Sequence, residues 1–235
     1  MSLKKIVIPN YKLSQELWNS ISHGIGAIFG IVATVLMLLK ICVWGYEGIN
    51  TTEKVFRIVA CSIYGFSMIL CFTVSCIYHG LAKNSGKKVF RVIDHDTVFL
   101  LIAGTYTAYT LITLRNETLW GVIPYSGWIM FGIVMVCVII GITFNSIDMN
   151  KFKKLSMVLY IVVGWVIVCG AYELYFLLTP AGFWFLFGGG IAYTIGAILY
   201  AIGSKKSKWW HTVFHFFILI GTVLQFISIY VYALN

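Results

Sequence analysis

The sequence has 235 residues, of which 60% are hydrophobic and 11% are charged. A soluble domain carries about twice that share of charged residues, so the composition excludes a soluble globular protein and indicates an integral membrane protein. The formal net charge of +9 does not indicate nucleic-acid binding, because the basic residues are distributed as they are beside membrane spans. We therefore expect a multi-pass protein of the cell membrane.

Apolar stretches of roughly 20 residues, each long enough to cross the hydrocarbon core as a helix, follow one another along the chain. Seven are predicted, at about 21–44, 55–78, 93–114, 121–144, 155–175, 181–203 and 211–233. The connections between them are short, so neighbouring spans run antiparallel. The pattern predicts an all-α integral membrane protein: a single seven-helix domain over residues 1–235, with a short cytoplasmic segment at 1–20.

Lys and Arg predict the orientation of the bundle. Thirteen of the 17 basic residues lie at the N-terminus or in the connections that follow spans two, four and six. Because basic residues accumulate on the cytoplasmic side, the N-terminus is predicted to be cytoplasmic and the C-terminus to lie outside. On these boundaries Lys87 and Arg91 belong to a loop, and Asp94 lies in the first turn of span three.

Polar residues interrupt the apolar spans on this cytoplasmic side. Ser75 and His79 end span two, Asp94 begins span three, and His211 and His215 begin span seven. Each pair within spans two and seven is spaced i, i+4, which places its members on one helical face. Ionisable residues inside a membrane are costly unless they have a function.

Three histidines with a nearby carboxylate predict a metal site formed by His79, His211 and His215. Three imidazole nitrogens leave a fourth position open, which is typical of catalytic rather than structural zinc. The alternative is a buried hydrogen-bonded network among the same helices. The six cysteines contain no CxxC pair, so we interpret them as small buried apolar residues.

Other polar residues near these clusters allow simpler interpretations. Glu16 and His23 share a helical face, which fits either a polar stripe that caps the bundle or support for the polar site. Taken singly, His23 and His95 are interpreted as interfacial residues. Asp96 is expected to pair with basic residues of the loop or to cap the helix N-terminus.

These motifs together resemble the hemolysin III proteins, which are bacterial members of the progestin and adiponectin receptor family. The similarity lies in Ser-x3-His at the end of span two, Asp-His followed by the run from Leu101 to Thr107 in span three, and His-x3-His in span seven. Glu16, Asn19, His23 and Gly26 are similar to the entry motif of that family. The resemblance extends from about residue 14 to 233. One departure is Ala108, where many hemolysin III sequences have proline, which leaves a kink in span three uncertain.

The resemblance implies a Zn2+ ion held by His79, His211 and His215, with Asp94 meeting the zinc through water and Ser75 nearby. The relation to adiponectin receptors and alkaline ceramidases suggests a zinc-dependent hydrolase that acts on a membrane lipid amide or ester, with Asp94 and Ser75 as its catalytic residues. The alternative is a non-enzymatic receptor, or a membrane-perturbing haemolytic protein, with a structural zinc. The sequence indicates neither the substrate nor the oligomeric state.

Overall fold

The structure is a computed structural model that describes residues 6–44 and 49–235. Within these ranges the chain is helical apart from short connections, and the only extended pairing is an isolated bridge between Leu119 and Ile123. The helices are α1 (Leu13–Cys42), α2 (Thr51–Gly80), α3 (Ser85–Ala108), α4 (Ser126–Asp148), α5 (Lys153–Gly164), α6 (Ala171–Leu177), α7 (Thr179–Gly203) and α8 (Trp209–Ile227). This architecture confirms the predicted all-α membrane class.

Six helical segments of the described chain are long and apolar enough to cross a membrane: α1, α2, α4, the α5–α6 segment, α7, and α8 with its extension. The protein is therefore a multi-pass membrane protein. α3, which continues beyond Ala108 as π-helical turns at Tyr109–Thr113, is long enough as well. It falls outside the set because polar residues fill its first half, so six segments qualify by composition against the seven predicted.

α3 begins about two turns earlier than predicted. The Asn84 side chain caps its first turn by accepting a hydrogen bond from the Lys87 backbone N–H at 2.8 Å. The assignment of Lys87 and Arg91 to a loop was therefore wrong, because both lie within α3 and are buried. Asp94 lies in the third turn rather than the first. Hydropathy ends a span where polar residues begin, but this helix continues because its polar residues have partners elsewhere in the fold.

Packing closes the helices into a ring. Each of α1 to α4 packs against the helix that follows it, α7 packs against α8, and α8 returns to α1. Two of these contacts depend on glycine: a Cβ on Gly26 would lie 2.6 Å from the Phe72 ring, and one on Gly189 would lie 2.9 Å from the Gly221 carbonyl oxygen. Small residues allow such close backbone approach between membrane helices.

The fifth predicted span, 155–175, is interrupted rather than continuous. α5 ends at Gly164, the chain forms a 3-10 segment at Val166–Gly170, and α6 follows. Tyr106 of α3 bridges the break: its hydroxyl accepts a hydrogen bond from the Ile167 N–H at 2.7 Å and donates to the Gly164 carbonyl at 3.1 Å. A membrane helix can break where another side chain satisfies the freed backbone groups, and no local pattern reveals that partner.

Candidate metal centre

The predicted histidines meet at the end of the bundle where α1 begins, which we call the N-terminal face. His79 lies at the end of α2, while His211 and His215 lie on the first two turns of α8. The Nε2 atom of His211 lies 3.2 Å from Nε2 of His79 and 3.1 Å from Nε2 of His215. All three side chains are buried, so residues 132 positions apart along the chain form one cluster.

The geometry of this cluster suits a metal ion. A zinc ion with bonds of about 2.0–2.1 Å to tetrahedral nitrogen ligands separates those nitrogens by about 3.3–3.4 Å, close to the distances observed. A neutral imidazole has one donor and one acceptor nitrogen. Three converging nitrogens cannot all be satisfied by hydrogen bonds to one another, whereas one shared cation can accept a lone pair from each of them. Ligand atoms of the three residues lie within 4.8 Å of one another, and no fourth ligand from the described residues joins the group. The cluster can therefore hold a metal ion.

A chain of charged side chains, Lys87 and Glu16, orients His79. Its Nδ1 lies 2.6 Å from Glu16 Oε2, on α1. The other carboxylate oxygen of Glu16 accepts a hydrogen bond from Lys87 Nζ at 2.7 Å, and Lys87 also donates to the Leu81 carbonyl at 2.9 Å. A carboxylate on the far nitrogen of a ligating histidine sets its tautomer and raises its basicity. Glu16 therefore supports the site, one of the two interpretations that the sequence allows.

Asp94 and Ser75 lie beside the cluster without belonging to it. Both are buried, and both line a cavity of ≈ 90 Å³ together with His211 and His215. Asp94 is outside the group of three side chains that could hold a metal ion. The structure thus brings five predicted residues to one place, three as a cluster and two on the wall of the adjoining cavity.

A second cavity of ≈ 100 Å³ adjoins the first; its wall is mainly apolar and, among the described residues, contains no charged side chain. It follows the interruption of the fifth span, with Leu101 and Trp165 in its wall. Residues of α3, α5 and α8, among them Val98, Tyr160 and Phe214, line both cavities. An apolar space therefore continues inward from the polar site.

Comparison with known proteins places the chain in a family. A family model described as "Haemolysin-III related" matches residues 11–226. The chain belongs to the haemolysin III family. It is 34% identical to "Hemolysin-3" of Bacillus cereus over 222 residues, which are 94% of this chain and 93% of that protein. It is 32% identical to "Hemolysin-3 homolog" of Bacillus subtilis (strain 168) over 225 residues, 96% of this chain and 97% of the other.

Two histidines of this haemolysin III protein lie outside the cluster. The interfacial interpretation of His23 is wrong: its ring is buried and stacks on His215 with centroids 3.7 Å apart. Neither His23 ring nitrogen has a hydrogen-bond partner among the described residues. His95 is partly exposed, and its Nδ1 lies 2.9 Å from the Arg91 carbonyl oxygen.

Asp96 differs from both predictions made for it. It accepts hydrogen bonds from Asn145 Nδ2 and Ser146 Oγ of α4, each at 2.8 Å. Because Asp94 and Asp96 are two positions apart on α3, they face different neighbours. Asp94 faces the cavity, whereas Asp96 joins α3 to α4.

Tyr11 covers the cluster and had no signal in the sequence. It precedes α1, and its ring stacks on His211 with centroids 5.4 Å apart and an interplanar angle of 22°. It also meets the His79 ring edge-on at 5.7 Å. Burial, with smaller effects of Tyr200 and Tyr78, raises the pKa of the Tyr11 hydroxyl above its ordinary value. The residue therefore covers the N-terminal face as a neutral phenol.

Lys87 and Arg91 are the other residues that sequence reasoning assigned elsewhere. Together with Asp94 they are spaced i, i+4, i+7 in α3, so they share a helical face. When α3 is extended back to Ser85, this spacing predicts that the three side chains lie on one face of the helix. It would have placed two cations beside the predicted carboxylate.

Proposed function

We propose that this haemolysin III protein is a zinc-dependent hydrolase of a membrane lipid amide or ester. The observation that carries the proposal is the convergence of three imidazole nitrogens beside a cavity that His211 and His215 line together with Asp94 and Ser75. Three histidines without a fourth protein ligand are typical of a catalytic site, in which one coordination position takes water or substrate.

His79, His211 and His215 would hold the zinc. Bound there, the ion would supply a Lewis acid and lower the pKa of water toward about 7. Asp94 accepts the proton of the attacking water as general base, while Ser75 donates a hydrogen bond to the developing oxyanion. The water oxygen bonds to the carbonyl carbon, the C–N or C–O bond breaks, and the leaving amine or alcohol takes the proton from Asp94.

The apolar cavity supports a lipid as the substrate. A hydrocarbon chain suits a space lined by residues such as Leu101 and Trp165, and the shared wall would lead the chain away from the polar site. α3 is proposed to cross the membrane as the seventh span. Its polar first half faces the site inside the bundle, which accounts for its low hydropathy without removing it from the membrane.

The orientation follows from the charges. Basic residues concentrate at the N-terminal face, so we place that face in the cytoplasm. The proposed reaction then takes place just beneath the cytoplasmic headgroups, where the amide or ester of a membrane lipid lies.

Asp94→Asn tests the mechanism, with Asp96→Asn as its matched control. Asp94→Asn retains the shape and the three imidazoles but removes the general base, so zinc content should be unchanged while turnover of an N-acyl lipid falls by about 10²–10⁴-fold. Asp96→Asn, two positions away in the same helix, should keep both properties. Zinc is measured by elemental analysis and turnover by product release from purified protein.

Retained zinc with retained turnover in Asp94→Asn would remove Asp94 from the mechanism. Full biological activity without lipid turnover in that variant would instead favour a receptor or haemolytic protein with a structural zinc. A lipidomic comparison of membranes that contain the intact protein or His211→Ala would identify the substrate.

A further inference from the structure

Two cations that line the same cavity as Asp94 form no ion pair with a carboxylate of the described residues. Arg91 lies on α3 one turn before Asp94, and Lys153 begins α5. We propose that Arg91 and Lys153 form a binding site for the phosphate or carboxylate group of the substrate lipid. The substrate would then be an anionic rather than a neutral lipid; this inference rests on the proposed lipid hydrolysis for the identity of its ligand.

Arg91 is held in place without being neutralised. It is only 9% exposed, and its Nη1 donates a hydrogen bond to the Val7 carbonyl. No Asp or Glu of the described chain forms an ion pair with it. A guanidinium has five N–H donors in a rigid fork, so its remaining donors suit a phosphate or a carboxylate.

Lys87, in contrast to Arg91, is a buried cation that forms an ion pair with a carboxylate. It lies one turn before Arg91 and is also buried, but the Glu16 carboxylate is 2.7 Å from its Nζ. Burial of a charge is expensive without such a partner. Arg91 differs from Lys87 because it forms no direct ion pair with a carboxylate of the described residues, although Asp94 lies near it on the same cavity.

Lys153 adds a second cation at the outer part of the cavity. The residue is exposed, and its Nζ lies 5.7 Å from the centre of the Tyr200 ring, which lines the same cavity. No carboxylate of the described residues pairs with it. As the first residue of α5, it stands at the N-terminal face, where a lipid headgroup would lie.

The charge balance of the cavity favours an anion. Asp94 is the sole carboxylate among the described residues that line it, against Arg91 and Lys153. Asp96 does not compensate, because Asn145 and Ser146 hold it between α3 and α4. The wall therefore carries an excess positive charge even before any metal binds, and a neutral lipid would leave this charge unpaired.

The positions of the two cavities determine how the lipid would be oriented when it is bound. The anionic group lies against Arg91 and Lys153, and the reacting carbonyl lies beside Asp94. The hydrocarbon chain continues past Tyr160 into the apolar cavity, since that residue lines both spaces.

Binding of ether lipids tests the inference without any hydrolysis. Short-chain ether-linked phosphatidic acid and the matching dialkylglycerol have no carbonyl to cleave, so the complete, metal-loaded protein can be titrated with each in a nonionic detergent. We expect the phosphate-bearing lipid to bind at least about tenfold more tightly, the effect of adding ion pairs to a partly buried site. Equal affinity for both lipids would overturn the inference.

Lys153→Glu and Lys154→Glu form a matched pair for the same titration. Both residues lie in the first turn of α5, but only Lys153 lines the cavity. Lys153→Glu should weaken binding of the anionic lipid by about tenfold and leave the neutral lipid unaffected, whereas Lys154→Glu should change neither affinity by more than about twofold. Equal losses in the two variants would show a general surface effect and contradict the site.

Arg91→Gln and inorganic phosphate complete the design. Arg91→Gln keeps a donor for Val7 but removes the charge, so a folded variant should lose the preference for the anionic lipid; a retained preference would exclude Arg91. Inorganic phosphate should not displace the lipid, and displacement at equal concentration would assign the site to a soluble anion. If no lipid is hydrolysed, these binding results still stand, and the two proposals fail separately.

Discussion

At the scale of single residues, the feature that distinguishes this site is the chain of contacts from Lys87 through Glu16 to His79. Lys87 is 2% exposed, and a charge so deeply buried requires compensation. Glu16 compensates it with one carboxylate oxygen and holds Nδ1 of His79 with the other. The pair thus fixes the ring orientation that points Nε2 at the other histidines.

Glu16→Gln should weaken metal binding without removing a ligand. The amide keeps the shape of the side chain but loses the charge that both orients His79 and neutralises Lys87. We expect a loss of about 10–100-fold in zinc affinity, as for other partners of ligating histidines. Competition with a chromophoric chelator measures the affinity.

Glu117→Gln, in the loop at the opposite face, is the control and should bind zinc like the original protein. His215→Ala removes a proposed ligand and should lower zinc affinity further than Glu16→Gln. Unchanged zinc affinity in Glu16→Gln would contradict a role for Glu16 in positioning His79.

Sequence analysis identified as candidates those site residues that are marked by a spacing within a single helix. The i, i+4 spacing of His211 and His215 lies on one helix and can be read directly. The contact between Glu16 and His79 joins residues 63 positions apart, and no helical period encodes it. Tyr11 lies outside any periodic segment, so its position over the histidines depends on the tertiary fold alone.

At the scale of helices, the break between α5 and α6 depends on the Tyr106 hydroxyl. Tyr106→Phe would leave the Ile167 N–H and the Gly164 carbonyl without this partner in an apolar setting. We expect a loss of about 1–3 kcal/mol in the free energy of unfolding, measured by denaturation of the detergent-solubilised protein. Tyr172→Phe, at a position 70% exposed, should have almost no effect, and equal stability of the two variants would refute this role for Tyr106.

The helices themselves were more predictable than their ends. Long apolar stretches indicate where the chain crosses the membrane, because unpaired backbone groups are excluded there. The start of α3 was missed because Lys87 and Arg91 resemble loop residues until their partners, Glu16 and the Val7 carbonyl, are known. The interruption near Gly164 was missed because the groups that satisfy it belong to another helix.

At the scale of the whole molecule, the charge distribution predicts the orientation of both termini. A reporter fused before residue 1 should be active only in the cytoplasm, and one fused after Asn235 only outside. A reporter fused after Ser207, in the connection between α7 and α8, should be cytoplasmic and serves as an internal control. Cytoplasmic activity of the Asn235 fusion would show that the chain crosses the membrane an even number of times.

The packing of α8 against α1 closes the ring of helices, so the histidine cluster depends on a helix that is synthesised after α1 to α7. A chain that ends before Trp209 retains Glu16, His79 and Lys87 but lacks two of the three clustered histidines. We expect such a chain to bind no zinc when it is isolated from membranes, and zinc at full occupancy in it would contradict the cluster as the metal site.

If the cluster holds the proposed zinc ion, this dependence gives the metal a role in biogenesis. While the ribosome is still making α8, the earlier helices carry an incomplete half-site within the membrane, with His79 directed at partners that have not arrived. Metal loading would then coincide with the docking of α8 against α1. The zinc content of a membrane would therefore be proportional to the number of complete, correctly inserted molecules. In a cell that lacks zinc, chains in which α1 and α8 are less firmly joined would accumulate.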